Sequence, residues 1–277
     1  AVIVRENRSI AYKGAAVKII GFDNLSSDGV NIGPDGNSGA NAVNTDTYNI
    51  SDNVSVFVGN HHMTFGTHND FYVFNNLFLQ NPYGKYEFST IDDFLNNNLY
   101  RFRYTYADPT LEGVTSTTWS AKAFAAKFGV YAQDQWTPGR NFSLTYGVRL
   151  DIPVMFNKPT ENKAFNQTSL SQESGESIGT VPGVSLLVSP RIGFRWFIDD
   201  EHKSLLRGGA GIFTGRVPFV WLVNAYNNTG VEIKSVDQKN VGAGLPATST
   251  PYKDIVAEGL LTSSTSSTVN TLNKNFK

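Results

Sequence analysis

The strongest constraint on the fold is a two-residue alternation of apolar and polar side chains on both sides of a short turn, "TPGRN", at 137–141. Only Asp134 interrupts the apolar phase. Before the turn this phase consists of Phe124, Ala126, Phe128, Val130, Ala132 and Trp136. After the turn it consists of Phe142, Leu144, Tyr146, Val148 and Leu150. Because successive side chains of a β-strand point to opposite faces, the pattern predicts an antiparallel hairpin with one apolar and one polar face.

Two further pairs of segments alternate in the same way. The first pair meets at 60–62, and its residues in phase are Val54, Val56, Val58, Met63, Phe65, Phe71 and Val73. The second pair turns at 199–204. In its first segment, one phase consists of Ile192, Phe194 and Trp196, and the opposite phase consists of Arg191, Gly193 and Arg195. The segments are about nine to twelve residues long, close to the ~9–11 residues of a tilted transmembrane strand. Strands of soluble sheets are shorter, at about 5–6 residues.

The connections between these segments alternate in length. Short turns alternate with long excursions at 75–123, 153–189 and 216–228. Outer-membrane barrels have short turns on the periplasmic side and long loops outside. The chain is therefore predicted to be all-β, with residues 51–277 forming part of a large antiparallel transmembrane β-barrel with long extracellular loops. Residues 1–50, which are rich in Asn, Asp, Gly and Ser at 22–49, are predicted to be a loop-rich segment that enters the barrel.

The excursion at 75–123 contains a segment that also alternates, with Tyr100, Phe102, Tyr104 and Tyr106 against Arg101 and Arg103. The strand before this excursion ends on the outer side of the membrane, and the strand after it begins there. The chain must therefore cross the membrane an even number of times between them. Either 110–120 supplies a weak return strand, or the whole region is extracellular, and we favour the second. A short helix is predicted in "STIDDFLNNN", with Ser89 as its cap.

Composition excludes two classes of protein. Charged residues make up 17% of the chain and the net charge is -1, so nothing attracts the chain to nucleic acid, and no nucleic-acid partner is expected. No apolar run approaches the ~20 residues of a membrane-spanning helix, which excludes a helical membrane protein. Cysteine is absent, so disulfides and thiolate sites are excluded as well.

Several blocks of the sequence resemble a known family. "FGVYAQDQWTPGRNFSLTYGVRLDIP" and "SPRIGFRWFIDDEHKSLLRGGAGIFTGRVP" resemble patterns in the barrels of TonB-dependent outer-membrane receptors. Four other segments resemble sequence blocks that flank these patterns in the family, and they occur in the same order. These segments are "NISDNVSVFVGNHHMTFGTHNDFYVFNNLF", "GKYEFSTIDDF", "NTGV" and "NKNFK". The combination is similar to the Oar-like receptors of the Bacteroidetes type.

The resemblance implies that the chain is an internal piece of a closed barrel of about 22 strands. The plug and the C-terminal strands are then expected outside this chain. Energy-coupled uptake, or Oar-like export, of a substrate across the outer membrane of a Gram-negative bacterium is the implied function. The implied partners are outer-membrane lipid or lipopolysaccharide, the protein's own plug, an inner-membrane TonB-type energy coupler, and other outer-membrane or surface proteins. No cofactor is implied.

Two other functions stay open at this point: a structural or scaffold barrel in a larger surface or secretion complex, and a soluble all-β carbohydrate-binding module. An enzyme is not expected. The carboxylates that could form an acid-base pair, Asp92 with Asp93 and those at 199–201, are adjacent in sequence, so their side chains diverge. No Ser/His/Asp constellation has supporting motif context.

Phase assigns the candidate site residues. The candidates for the lumen-facing side are Lys127, Tyr131, Gln133, Gln135, Arg149, Asp151, Arg191, Arg195 and Arg207. Those predicted to face lipid are Phe124, Phe128, Val130, Trp136, Phe142, Leu144, Tyr146, Val148, Leu150, Ile192, Phe194 and Trp196. The aromatic candidates for ligand contact on an extracellular loop are Phe219, Trp221 and Tyr226. As an alternative to contact with a substrate, the polar residues could bind the plug and neighbouring strands. The aromatic residues could likewise serve only to pack the loop.

No metal site is expected. His61 and His62 point to opposite faces of an extended strand, so with His68 they indicate a polar turn rather than converging ligands. Asp28, Asp35 and Asp46 lie among Gly and Asn but lack the spacing of a calcium loop, so a plain loop is preferred.

Overall fold

The computed structural model describes residues 2–10, 15–21, 29–108, 119–216, 218–243 and 268–273. Its strands are β1 (Val2–Ile10), β2 (Ala16–Gly21), β3 (Val30–Ile32), β4 (Ala40–Val58), β5 (His61–Leu79), β6 (Lys85–Thr90), β7 (Asn98–Ala107), β8 (Ala121–Trp136), β9 (Phe142–Met155), β10 (Leu187–Phe197), β11 (Leu205–Gly211) and β12 (Ile233–Ala243). Its helices are α1 (Ile91–Leu95), α2 (Lys163–Asn166), α3 (Ser169–Ser174) and α4 (Phe219–Asn227). The prediction of an all-β chain is confirmed.

Seven strands form one antiparallel sheet in the order β1-β4-β5-β8-β9-β10-β11, which we call the wall sheet. All three predicted hairpins are present in it, as the pairs β4–β5, β8–β9 and β10–β11. The predicted turn at 137–141 joins β8 to β9, whereas the first turn is tighter than predicted. His61 and His62 already belong to β5, and Gly59 turns the chain with a φ of +58°.

The strands of the wall sheet are longer than predicted. β4 and β5 have 19 residues each, and β8 has 16. The loop predicted at 22–49 is wrong at 30–32, which form β3, and for its last part, since β4 begins at Ala40. That part of β4 lies between β1 and β5 and pairs with both, so ladder hydrogen bonds outweigh the weak strand preference of its Asn, Asp and Thr residues. The loop prediction at 22–28 lies outside the described residues.

In the described part of the excursion at 75–123, no further strand joins the wall sheet. Instead, β7 belongs to a second sheet in the order β12-β7-β6-β2-β3, in which only β2 and β6 are parallel. Of the apolar phase of β7, Phe102, Tyr104 and Tyr106 lie in its core, whereas Tyr100 is exposed. The other buried members of this core are Leu99 of β7, Tyr86 and Phe88 of β6, and Val236 of β12. Most of the alternative return strand at 110–120 lies outside the described residues.

The polar phase of β7 is paired across the second sheet. Arg103 donates from Nη2 to Glu87 Oε1 at 2.6 Å, and Glu87 is only 6% exposed. Arg101 donates from Nε and Nη2 to the two carboxylate oxygens of Asp237, at 2.7 and 2.5 Å. Alternation in β7 therefore separates an aromatic core from an ion-paired face.

Acidification is expected to weaken the Arg101–Asp237 pair. The hydrogen bond from Arg101 holds the pKa of Asp237 below its usual value, so the pair stabilises the fold above about pH 4 and is lost as pH falls through the lowered pKa. The Asp237 side chain is 42% exposed, so we expect an effect below ~1 kcal/mol. Hydrogen-exchange protection of the β7 and β12 amides, followed to acid pH, should fall in the wild type. If the protection of these amides fell equally on acidification in the Asp237→Asn variant, the carboxylate of Asp237 would not be its cause.

The predicted short helix is present as α1, but its cap is Thr90 rather than Ser89. Thr90 Oγ1 accepts a hydrogen bond from the backbone N–H of Asp93 at 3.0 Å and donates to the Asp93 carboxylate at 2.8 Å. The cap is therefore one residue later than the prediction, directly where β6 ends. None of the helices in the described ranges has the length and apolarity that a membrane crossing requires.

The two sheets and α4 share a second hydrophobic core. It lies at the end of the wall sheet from which the long connections leave. Its buried members are Ala40, Phe74, Leu79, Ala107, Trp119, Ala121, Ala123, Val223, Tyr226 and Ile233. The segments between the wall strands are therefore packed together at this end of the sheet.

Candidate functional site

The register of the wall sheet separates two faces. Directly opposed residues share a face, as do Phe128 with Ile152 and Val130 with Leu150. All of the residues that the sequence predicts to face lipid lie together on one side, which we call the apolar face. Large side chains on it are open to the surroundings, with Val130 53% and Ile192 54% exposed. Monomeric soluble proteins rarely expose so continuous an apolar surface.

The opposite side, which we call the polar face, carries all of the predicted lumen-facing residues. The register sets Tyr131 beside Arg149, and Arg195 beside Arg207. It also brings in residues of β4 and β5 that the sequence did not single out for this role: Asn49, Asn53, His68, Asp70 and Tyr72. The signal was their phase relative to β8, which only the pairing register reveals.

One cluster on the polar face centres on Asp70. Its carboxylate accepts hydrogen bonds from Asn49 Nδ2 at 2.8 Å and from the Tyr72 hydroxyl at 3.0 Å. Lys127 Nζ lies 3.5 Å from the same carboxylate, and His68 Nε2 lies 3.4 Å from it. The cluster therefore neutralises Lys127 and ties β4, β5 and β8 together.

A second cluster pairs Arg149 with Asp151 on β9. Arg149 donates from Nε at 2.8 Å and from Nη2 at 2.7 Å, and Asp151 is 2% exposed. Gly129 lies opposite Asp151, and a Cβ there would come within 2.3 Å of Arg149 Nη2. The missing side chain of Gly129 therefore lets the guanidinium lie flat on the sheet.

Tyr131 also lies flat, across Gly66 of β5. Its hydroxyl donates to Asn53 Oδ1, and the guanidinium carbon of Arg149 lies 5.7 Å from the centre of its ring. A Cβ at Gly66 would come within 2.5 Å of the Tyr131 hydroxyl. Glycines within the strands therefore serve close packing of large polar side chains against the wall.

Gly66→Ala is expected to displace the Tyr131 ring and to lower the free energy of unfolding of the full-length protein by about 1–3 kcal/mol, because the new methyl group overpacks this contact. Chemical denaturation followed by gel mobility measures the loss. Gly193→Ala is the matched control, since its Cβ would come no closer than 3.6 Å to Gly208 O. Equal stability of the two variants would contradict the prediction.

The aromatic residues predicted on an extracellular loop all lie in the helix α4. Phe219 packs on the rings of Tyr72 and Phe74, at centroid distances of 4.7 and 5.7 Å. Tyr226 is 6% exposed, donates its hydroxyl to Asn157 O at 2.6 Å, and has its pKa raised to about 12 by burial. Tyr226 is therefore a core residue and not free to contact a ligand, whereas Trp221 is 67% exposed.

The histidines do not converge. The register places His61 on the apolar face, and His62 on the polar face stacked on Phe57 at 4.2 Å. Asp134, which interrupts the apolar phase, has partners: His61 Nδ1 lies 2.6 Å from its Oδ2, and the Tyr146 hydroxyl donates to the same oxygen at 2.8 Å. Within the described ranges, no group of three or more His, Asp or Glu side chains is arranged to hold a metal ion.

The carboxylates considered for calcium or acid-base chemistry have local structural roles. Asp46 lies within β4, where its Oδ1 is 3.5 Å from Arg5 Nε. Asp35 accepts from the backbone N–H of Asn37 at 3.0 Å. Asp199 accepts from the backbone N–H groups of Lys203 and Ser204 at 2.8 and 2.7 Å, and the first of these bonds lowers the pKa of Asp199. Asp28 lies outside the described residues.

Comparison with known proteins agrees with this geometry. The family described as outer membrane beta barrel domain matches residues 6–277. No curated protein and no solved structure matches the chain. The match covers both sheets and nearly the whole chain. The chain therefore belongs to the outer membrane beta barrel domain family, and the protein is located in the outer membrane of a Gram-negative bacterium.

Proposed function

We propose that the chain is part of a TonB-dependent, Oar-like receptor that moves a substrate across the outer membrane with energy from an inner-membrane coupler. The observation that most supports a transport role is the two-faced wall sheet. One face is apolar and exposed, while the other carries hydrogen-bonded ion pairs. Polar interiors and apolar exteriors are typical of outer-membrane barrels that enclose a lumen.

In this proposal the apolar face contacts lipid or lipopolysaccharide, and the polar face lines the lumen beside the protein's own plug. Trp136 stacks near His61 at the turn end of β8, where an indole ring suits the boundary between lipid and water. The specific link to TonB-dependent receptors rests on the sequence blocks at 128–153 and 189–218. Both blocks fall largely in the paired strands β8 to β11.

The test is growth and uptake in the native organism. A strain lacking the full-length protein should lose growth on at least one nutrient supplied at limiting concentration. A strain lacking the TonB-type coupler should show the same defect, and the full-length gene should restore growth only when the coupler is present. Normal growth of the deletion strain on every nutrient, or a defect independent of the coupler, would count against energy-coupled uptake.

A scaffold role is the second candidate, because the described parts of the long connections contain helices and a second sheet. The second sheet has its own aromatic core and an ion-paired face, which offers a firm surface for other outer-membrane or surface proteins. Deleting the protein would then release partner proteins from the outer membrane and leave nutrient uptake intact. The soluble carbohydrate-binding alternative is not supported, since the chain belongs to an outer-membrane family.

A further inference from the structure

Three arginines lie on the polar face of the last two strands of the wall sheet. Arg191 and Arg195 come from β10, and Arg207 comes from β11. Arg195 and Arg207 are directly opposite each other in the register. Arg191 is four residues from Arg195 on the same face, which corresponds to a separation of about 13 Å along the strand. All three side chains belong to exposed residues.

In the described part of the chain, none of these three arginines forms an ion pair with a carboxylate. The nearby acids of the polar face are occupied, since Asp70 pairs with Lys127 and Asp151 pairs with Arg149. In the turn after β10, Asp199 accepts backbone hydrogen bonds and Asp200 accepts from Asn141 at 2.6 Å. The charge of the three arginines is therefore not balanced by these neighbours.

The contacts that the arginines do make leave their charge in place. Arg191 donates to the side-chain oxygen of Gln133, and the guanidinium of Arg195 lies 4.6 Å from the centre of the Phe197 ring. Like charges directly opposite each other on adjacent strands destabilise a sheet. Arg195 and Arg207 would therefore gain from an anion placed between them.

The surface around the arginines is open and rich in hydrogen-bonding groups. Arg195 and Arg207 line a concavity of about 720 Å³ together with Gln135, Ser143 and Thr145. A neighbouring concavity of about 360 Å³, which shares Thr145 and Gly193 with the first, reaches Arg191 and Gln133. There is thus room for a small molecule over the guanidinium groups.

We propose that the Arg195–Arg207 pair, with Arg191 in the neighbouring concavity, binds a small multivalent anion through its carboxylate or phosphate oxygens. Guanidinium groups bind such oxygens in pairs, with two parallel hydrogen bonds each. The hydroxyl and amide groups of Ser143, Thr145 and Gln135 supply further hydrogen bonds to the same ligand. The inference requires the polar face to line the lumen and does not require energy coupling, so its failure leaves the uptake proposal standing.

The test is calorimetric titration of the full-length protein in detergent at low ionic strength. Tripolyphosphate and citrate are the two probes, and comparing them distinguishes phosphate from carboxylate recognition. The wild type should bind at least one probe, more weakly as salt is raised. The double variant Arg195→Gln/Arg207→Gln should bind that probe at least tenfold more weakly. Arg195→Lys/Arg207→Lys should fall between them, because lysine keeps the charge but not the paired hydrogen bonds.

Arg5→Gln is the matched control, since Arg5 lies on the apolar face beside Asp46 and should leave probe binding unchanged. Heat-modifiable gel mobility verifies that each variant is folded. Equal binding by the folded wild type and the Arg195→Gln/Arg207→Gln variant would overturn the proposal. So would absence of binding by the wild type. If the double variant then also made another segment of the protein sensitive to protease, the arginines would be holding an acidic segment instead.

Discussion

Val130→Arg is expected to lower the free energy of unfolding of the full-length protein by about 2–4 kcal/mol. Val130 is 53% exposed on the apolar face and lies six residues along β8 from both Phe124 and Trp136. A charged side chain on the lipid face of a barrel costs this much near the middle of the bilayer and less near its boundaries. Urea unfolding of the protein in lipid vesicles, followed by heat-modifiable gel mobility, measures the loss.

Ser51→Arg is the control for this substitution. Ser51 lies on the polar face of β4, and its register partner His68 is paired in turn with Gly129, the neighbour of Val130. The two substitutions therefore add the same charge at a similar depth on opposite faces. We expect Ser51→Arg to cost less than ~1 kcal/mol, because its charge would be solvated. A larger loss for Ser51→Arg than for Val130→Arg would reverse the assignment of the two faces.

The alternation of side chains could be predicted from sequence because the strand backbone alone determines it. Phe128, Val130 and Trp196 lie on the face that their phase predicts, and the turns that join their strands are short enough to fix the pairing. The long connections could not be predicted in this way. β2 pairs with β6 in parallel, across 63 or more intervening residues, and no local pattern specifies such a partner.

The interaction partners of individual polar residues also could not be predicted from the sequence. Asp134 interrupts the apolar phase, and its partner His61 lies 73 residues away in the chain. Tyr226 looked like a surface aromatic because a run such as "VPFVWLVNAYNN" carries no sign of what packs against it. In the structure it enters a core built from both sheets. Tertiary contact, and not local pattern, decides the burial of such residues.

Asp151→Ala is expected to cost the full-length protein about 3 kcal/mol of unfolding free energy. Asp151 is 2% exposed and holds the Arg149 guanidinium through hydrogen bonds of 2.7 to 2.9 Å. Removing one partner of a buried ion pair leaves the other charge without a partner and costs about 3–5 kcal/mol. The lower end applies because the Arg149 side chain is 30% exposed and can turn towards water. Urea unfolding under the conditions used for Val130→Arg gives the value.

The double variant Arg149→Met/Asp151→Ala distinguishes the effect of an unpaired buried charge from that of lost packing. If the stranded guanidinium causes the damage, removing it should recover part of the stability, since apolar replacements of buried pairs are often tolerated. Asp46→Ala is the exposed counterpart. Asp46 lies six residues, or about 20 Å, along β4 from Asp52, which is level with Val130, so its 3.5 Å pair with Arg5 lies beyond the apolar band and should contribute less than ~1 kcal/mol. A double variant as unstable as Asp151→Ala would instead mean that the carboxylate supports β9 itself, independently of the charge that it neutralises.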